Sequence, residues 1–145
     1  MLFRSKVTCL SPAPGINGVV FQTYPSLTAL YDAYTAQVRT LNNGQFQANF
    51  ADCGLHQTFG EVGWNHMFQH PKNYSIQQMS SGMVPDAQAA GRVFCNFNNG
   101  QENMVWAQDS GHLLGYVSGP VHEDVWTWWV AVHHNIGIAG STMHM

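Results

Sequence analysis

Between residues 92 and 117 the chain spells three β-prone runs separated by two tight-turn signals, and nothing else in it constrains the fold as strongly. Arg92, Val93, Phe94, Cys95, Asn96 and Phe97 read as a strand, rich in β-branched and aromatic side chains. Asn98-Asn99-Gly100 follows, a hairpin signal because Asn and Gly accept positive φ at little cost. Residues 103–108 make the return strand, Asp109-Ser110-Gly111 turns again, and residues 112–117 supply a third strand. Strands joined by turns this short pair side by side, so the sequence predicts an antiparallel meander.

Helical periodicity appears on either side of it. Leu27, Leu30, Tyr31, Tyr34, Val38 and Leu41 recur at the spacing of one helix face. Ser26 is placed to cap that helix, and Asn42-Asn43-Gly44 stops it. Val19 to Tyr24 reads as a strand just before it. A second helix starts after Pro120, with Glu123 and Asp124 in its first turn and Val125, Trp126, Trp129, Val130 and His133 near one face, and Gly137 ends it. Residues 46–50 alternate like a short strand, and another strand is expected around Tyr74-Ser75-Ile76 inside long connections over 54–85. Residues 1–18 are turn-rich and read as a surface arm. The expectation is therefore a single α+β domain over 1–145, a meander packed in two layers against two amphipathic helices, with the core in 19–145.

Composition narrows the function. Charged residues are 9% of the chain, about a third of the usual share, while 45% is hydrophobic. A surface made of amides, hydroxyls and glycine repels its own copies weakly, which suits an interface or an assembly. With five Lys and Arg and a net charge of −3, no basic stripe exists to neutralise phosphates, so nucleic acid is not an expected partner. No run approaches the roughly 18 apolar residues of a membrane span, and residues 1–6 lack the apolar stretch of a secretory signal.

Three cysteines, Cys9, Cys53 and Cys95, leave two readings open: three buried thiols, or one bridge plus an odd thiol. If a bridge forms, Cys53–Cys95 is the preferred pair, since Cys95 lies in a strand and Cys53 in a glycine-containing loop able to reach it. Eight histidines invite a search for a metal. His66 and His70 stand four apart, as zinc ligands on a helix do, but Met67 takes the place of the glutamate base and Pro71 follows at once. A metal-dependent hydrolase using His66, His70 and either His56 or His122 is the enzymatic alternative. The other imidazoles have structural roles in this reading: His122 at the helix start, His133 in the core, His134 near the helix end. Asp52, Glu61, Asp86, Glu102, Asp109, Glu123 and Asp124 are too scattered to nominate an acid–base pair, and no cofactor motif is present.

Trp126, Trp128 and Trp129 fall within four helical residues, so they cannot all face one core. Trp128 should point away from the side shared by Val125 and Trp129, making Trp128, with Trp126 and His122, the expected contact site.

The order of core residues resembles a known family. Ala90-Gly91-Arg92-Val93-Phe94-Cys95, then Val105-Trp106-Ala107-Gln108-Asp109, then Leu113-Leu114-Gly115 and Trp126-Thr127-Trp128-Trp129 resemble the extracytoplasmic sensor-like domain of actinobacterial serine/threonine kinases and lipoproteins. The helix carrying Leu30, Tyr31 and Tyr34 sits where that family also has one. The resemblance implies a sensing or surface-interaction domain without catalysis. This chain shows no kinase, anchor or export signal and has an odd cysteine count, so the expectation is a detached module, on a cell surface or as a decoration protein on a phage virion. The expected function is protein–protein or surface binding, as a homo-oligomer or part of a larger assembly. A secreted small-ligand-binding domain is the remaining alternative.

Overall fold

The computed structural model describes residues 5–10, 12–65 and 74–132. Nine elements follow one another there: β1 (Ser5–Leu10), β2 (Gly18–Thr23), α1 (Leu27–Leu41), β3 (Gly60–Trp64), α2 (Ile76–Ser80), β4 (Gly91–Asn98), β5 (Gln101–Gln108), β6 (Leu113–Gly119) and α3 (His122–Val132). The six strands form one antiparallel sheet in the order β1-β2-β6-β5-β4-β3. The fold is α+β, as the sequence predicts.

The turn signals act as read. Asn99 and Gly100 both take positive φ, 55° and 74°, and join β4 to β5 through a two-residue hairpin. Ser26 caps α1 by accepting from the amide of Ala29 at 3.1 Å, and the helix ends where Asn43 and Gly44 turn left-handed.

The layering differs from the expected two. Along β5, Met104 and Trp106 face one side and join Val125 and Trp129 of α3. Val105 and Ala107 face the other and join Leu30, Tyr31, Tyr34 and Val38 of α1 and Met79 of α2. The sheet is thus covered on both faces, α1 and α2 on one and α3 on the other. The reason is visible in the strands: Val93-Phe94-Cys95 and Met104-Val105-Trp106-Ala107 are unbroken apolar runs, which suit a strand buried on both sides.

On the α3 face three fully buried indoles meet edge to face, with Trp129 centred 6.0 Å from Trp64 and 6.3 Å from Trp106. Each buries roughly 150–250 Å², on the order of 4–6 kcal/mol of transfer free energy as an upper figure. Trp106 has room because its cross-strand partner is Gly115; a Cβ there would stand 2.3 Å from the indole ring.

Four local expectations are corrected. The 1–18 arm contains β1, an edge strand paired residue for residue with β2. Residues 46–50 form no strand, because Asn49 turns to φ 61° and points its amide inward. Ser75 starts a helix, not a strand: Ser75 and Gln78 form a reciprocal capping box at the head of α2. The fourth change is an addition, β3, short and fully buried, within what reads as a long connection.

Candidate functional site

Two polar clusters are built into this scaffold, one on each face of the sheet. On the α3 face, at the end of the sheet where β4 turns into β5, the loop over residues 51–59 is stapled down. Cys53 is bridged to Cys95 of β4, with the two Cα atoms 6.0 Å apart, so the preferred pair is the one that forms. Cys9 lies half-buried on β1, outside the bridge. One residue after Cys53, the carbonyl of Gly54 meets Nε2 of His122, the first residue of α3. The other ring nitrogen, Nδ1, stands 2.7 Å from Oε2 of Glu102 on β5.

His122 and Glu102 are both buried. Burial pulls the imidazole toward its neutral form, but the Glu102 carboxylate and the Gly54 carbonyl outweigh it, and the basicity of His122 is raised. Burial also raises the carboxyl of Glu102, against the opposing pull of His122. Both directions keep a proton on the pair. With Nδ1–H facing a carboxylate and Nε2–H donating to a backbone carbonyl, the ring has no lone pair to offer a metal or a substrate. What the arrangement does is tie three separate segments together: the loop, β5 and the start of α3.

On the opposite face Arg92 and Glu61 form a fully buried fork, Nε to Oε2 at 2.8 Å and Nη2 to Oε1 at 2.6 Å. Both make further bonds. Nη2 also donates to Oδ1 of Asn49 at 2.7 Å, and Nη1 to the carbonyl of Tyr74 at 2.9 Å. Glu61 accepts further from the Tyr34 hydroxyl at 2.7 Å and from the Asn49 amide at 2.9 Å. One helical turn before Tyr34, Tyr31 donates to Oδ1 of Asp109 at 2.6 Å. Burial pushes both phenols well above their usual range. It also lifts the Asp109 carboxyl to about 7, with exposed Asp86 adding to the rise and Tyr31 and Arg92 opposing it. This is a buried polar lock joining α1, β3, β4 and the 45–50 segment.

The expected contact residues occupy α3. Trp126 and Trp128 are both half-buried. Trp126 stacks against Trp129 at 5.2 Å, and Trp128 leans onto Trp106 at 6.4 Å instead of turning away from the sheet. The structure brings His122, Cys53 and Cys95 together at one end of the sheet, next to the start of the helix bearing these tryptophans. His66, His70, His133 and His134 lie outside the described residues. Among the described residues, no group of three or more His, Cys, Asp or Glu is placed to hold a metal, and no helix is long and apolar enough to cross a membrane.

Sequence reasoning sets Glu61, Glu102 and Asp109 aside as scattered acids and takes Arg92 only as a strand residue. A usable signal existed: in a chain this poor in charge, Arg92 sits inside a β run and Glu102 borders one, where a charge with no partner is costly.

Around the stapled end, Leu55, Phe97 and Val121 are exposed, at 43%, 52% and 44%. They are neighbours through the links just described. Leu55 follows Gly54, Val121 precedes His122, and Phe97 is the cross-strand partner of Glu102. An apolar rim therefore surrounds a buried, charged pair.

No family model, curated protein or solved structure matches this chain.

Proposed function

We propose that the protein is a non-enzymatic interaction module that takes a protein partner, or further copies of itself, on the apolar rim of its stapled end. The observation that carries this reading is the placement of Leu55, Phe97 and Val121 around the Cys53–Cys95 bridge and the Glu102–His122 pair. Apolar side chains held on an already ordered frame lose little freedom on binding, so contact there is efficient. Trp126 and Trp128 extend the same surface along α3 as half-buried aromatics, and His122 acts as a positioning residue beneath it. Glu61 faces Arg92 and Glu102 faces His122 in two buried pairs, which supports binding over catalysis. The disulfide fits an oxidising compartment, a cell surface or a virion.

Sedimentation over a range of concentrations tests this. The expected outcome is an assembly that Leu55→Asp combined with Val121→Asp takes apart, with the melting temperature unchanged because both sites are exposed. If the wild type stays monomeric, a photo-crosslinking residue in place of Phe97 should capture a discrete partner under native conditions. A substrate turned over at a rate that His122→Gln abolishes, in a variant that stays folded, would overturn the proposal.

A further inference from the structure

A groove lies on the far side of Phe97 and makes a second site, which shares that ring with the rim but not Leu55 or Val121. Strand β3 starts at Gly60, opposite Cys95, so β4 runs on past it through Asn96, Phe97 and Asn98. The space there is about 350 Å³, bounded by Asn42 and Asn43 at the end of α1, by Thr58 and Phe59 on the stapled loop, and by Phe97 and Asn98. That volume falls within the range of small-ligand sites, roughly 300–1,000 Å³. Phe59 is 50% exposed, yet its ring is held, tilted 4.7 Å from Phe50 and edge-on 6.4 Å from Phe94. Asn96 fixes the width of the groove: its side-chain amide donates to the carbonyl of Leu41 at 2.8 Å, and its oxygen accepts from Asn103 at 3.1 Å.

We propose that this groove binds a neutral saccharide. The described lining offers phenyl rings, the Leu41 side chain, carboxamides and a hydroxyl, and no ionisable side chain. An anion or cation would be desolvated there without a counter-charge, and a purely apolar ligand would strand the amides. A pyranose has what the groove lacks a partner for: a C–H face to lie on an aromatic ring, and hydroxyls that donate and accept as a carboxamide does. An extended peptide adding to β4 finds only the short overhang beyond β3, which gives few ladder bonds.

The test is a backbone-amide NMR titration of the full chain with cellohexaose and, separately, mannohexaose. Binding by either, with saturable shifts at residues 42–43, 58–59 and 97–98, is the expected result. Asn98→Ala, at an exposed site, should weaken that binding roughly tenfold without altering the melting temperature, and Phe59→Ala should do the same or more. Leu55→Asp with Val121→Asp should leave it intact, which separates this site from the rim. The proposal is overturned if neither sugar shifts the groove residues, if Asn98→Ala and Phe59→Ala both bind normally, or if an uncharged valine-rich peptide binds there as tightly as the sugars.

Discussion

Tyr34 and Arg92 meet at a single oxygen: both donate to Oε2 of Glu61, at 2.7 and 2.8 Å, from opposite sides of the interface between α1 and the sheet. The guanidinium needs the carboxylate, and the carboxylate is fully buried, so neither charge has solvent to fall back on. Glu61→Gln should therefore destabilise the fold by about 3–5 kcal/mol, the cost of leaving a buried charge unpaired. Glu61→Leu combined with Arg92→Met should recover much of that loss. Urea unfolding of the three proteins checks the pair of outcomes; equal losses for the single and double variants would mean that the lock matters through Asn49 and Tyr74 instead.

Opening the Cys53–Cys95 bridge frees a loop whose ends are 42 residues apart in sequence. Chain entropy alone makes that worth on the order of 4 kcal/mol. Cys53→Ser with Cys95→Ser should lower stability by that order. It should also raise hydrogen exchange at residues 54–59, where Gly54 and Gln57 are paired to each other and the Gly54 carbonyl is tied to His122.

Acid should strengthen this protein over part of the usual range. The Asp109 carboxyl, lifted to about 7 by burial, binds its proton more tightly folded than unfolded. A raised folded value means stability that is full at low pH and declines as pH rises from about 4 through 7. Asp109→Asn should flatten the stability profile in that window. The variant should gain relative to wild type as pH rises, measured by thermal melts at fixed ionic strength.

His122 adds a second, higher window. Its basicity is raised in the fold, so its contribution is complete below about 6.5 and is lost as pH climbs through the folded value. His122→Gln should remove the decline above neutrality while leaving the Asp109 window in place. Amide exchange at Gly54 and Leu55 should report the loss locally.

Gly115→Ala is the sharpest test of the core. The added methyl would stand 2.3 Å from the Trp106 ring, with Phe21 edge-on at 5.8 Å and Trp129 beyond, so the indole has nowhere to go. A loss of 1–3 kcal/mol or more is expected, with a shift in tryptophan fluorescence.

Much of the fold was legible in the sequence wherever a signal was local. The Ser26 cap, the Asn99-Gly100 hairpin and the α1 stripe all act over a few residues, and the chain adopts them as read. The layering was misread although the information was present: an unbroken apolar run such as Met104 to Ala107 belongs to a strand with both faces covered. Strand β3 and the polar locks were harder. Gly60–Trp64 is a strand because β4 and the Ala51 carbonyl accept it, and Glu61 is an internal anchor because Arg92, Tyr34 and Asn49 converge on it from far along the chain. Pairings of that kind have no local signature. The Cys53–Cys95 bridge was readable because two residues suffice to make it. The rim and the groove depend on which apolar side chains stay uncovered, which only the assembled surface decides.

The place of β2 in the sheet sets an order of events during synthesis. It pairs with β1 on one side and with β6 on the other, Val19 opposite Val117, and β6 is the last strand of the sheet. While the chain is emerging, the first hairpin has no sheet to join until β6 is complete, although α1 can already rest on β4 and β5. A two-stranded ribbon alone is only marginally stable in water, and contacts this distant in sequence close slowly. The first hairpin must therefore wait, exposed, for the last strand, and a ribosome-stalled chain ending before Leu113 should be digested most readily by protease within residues 5–23.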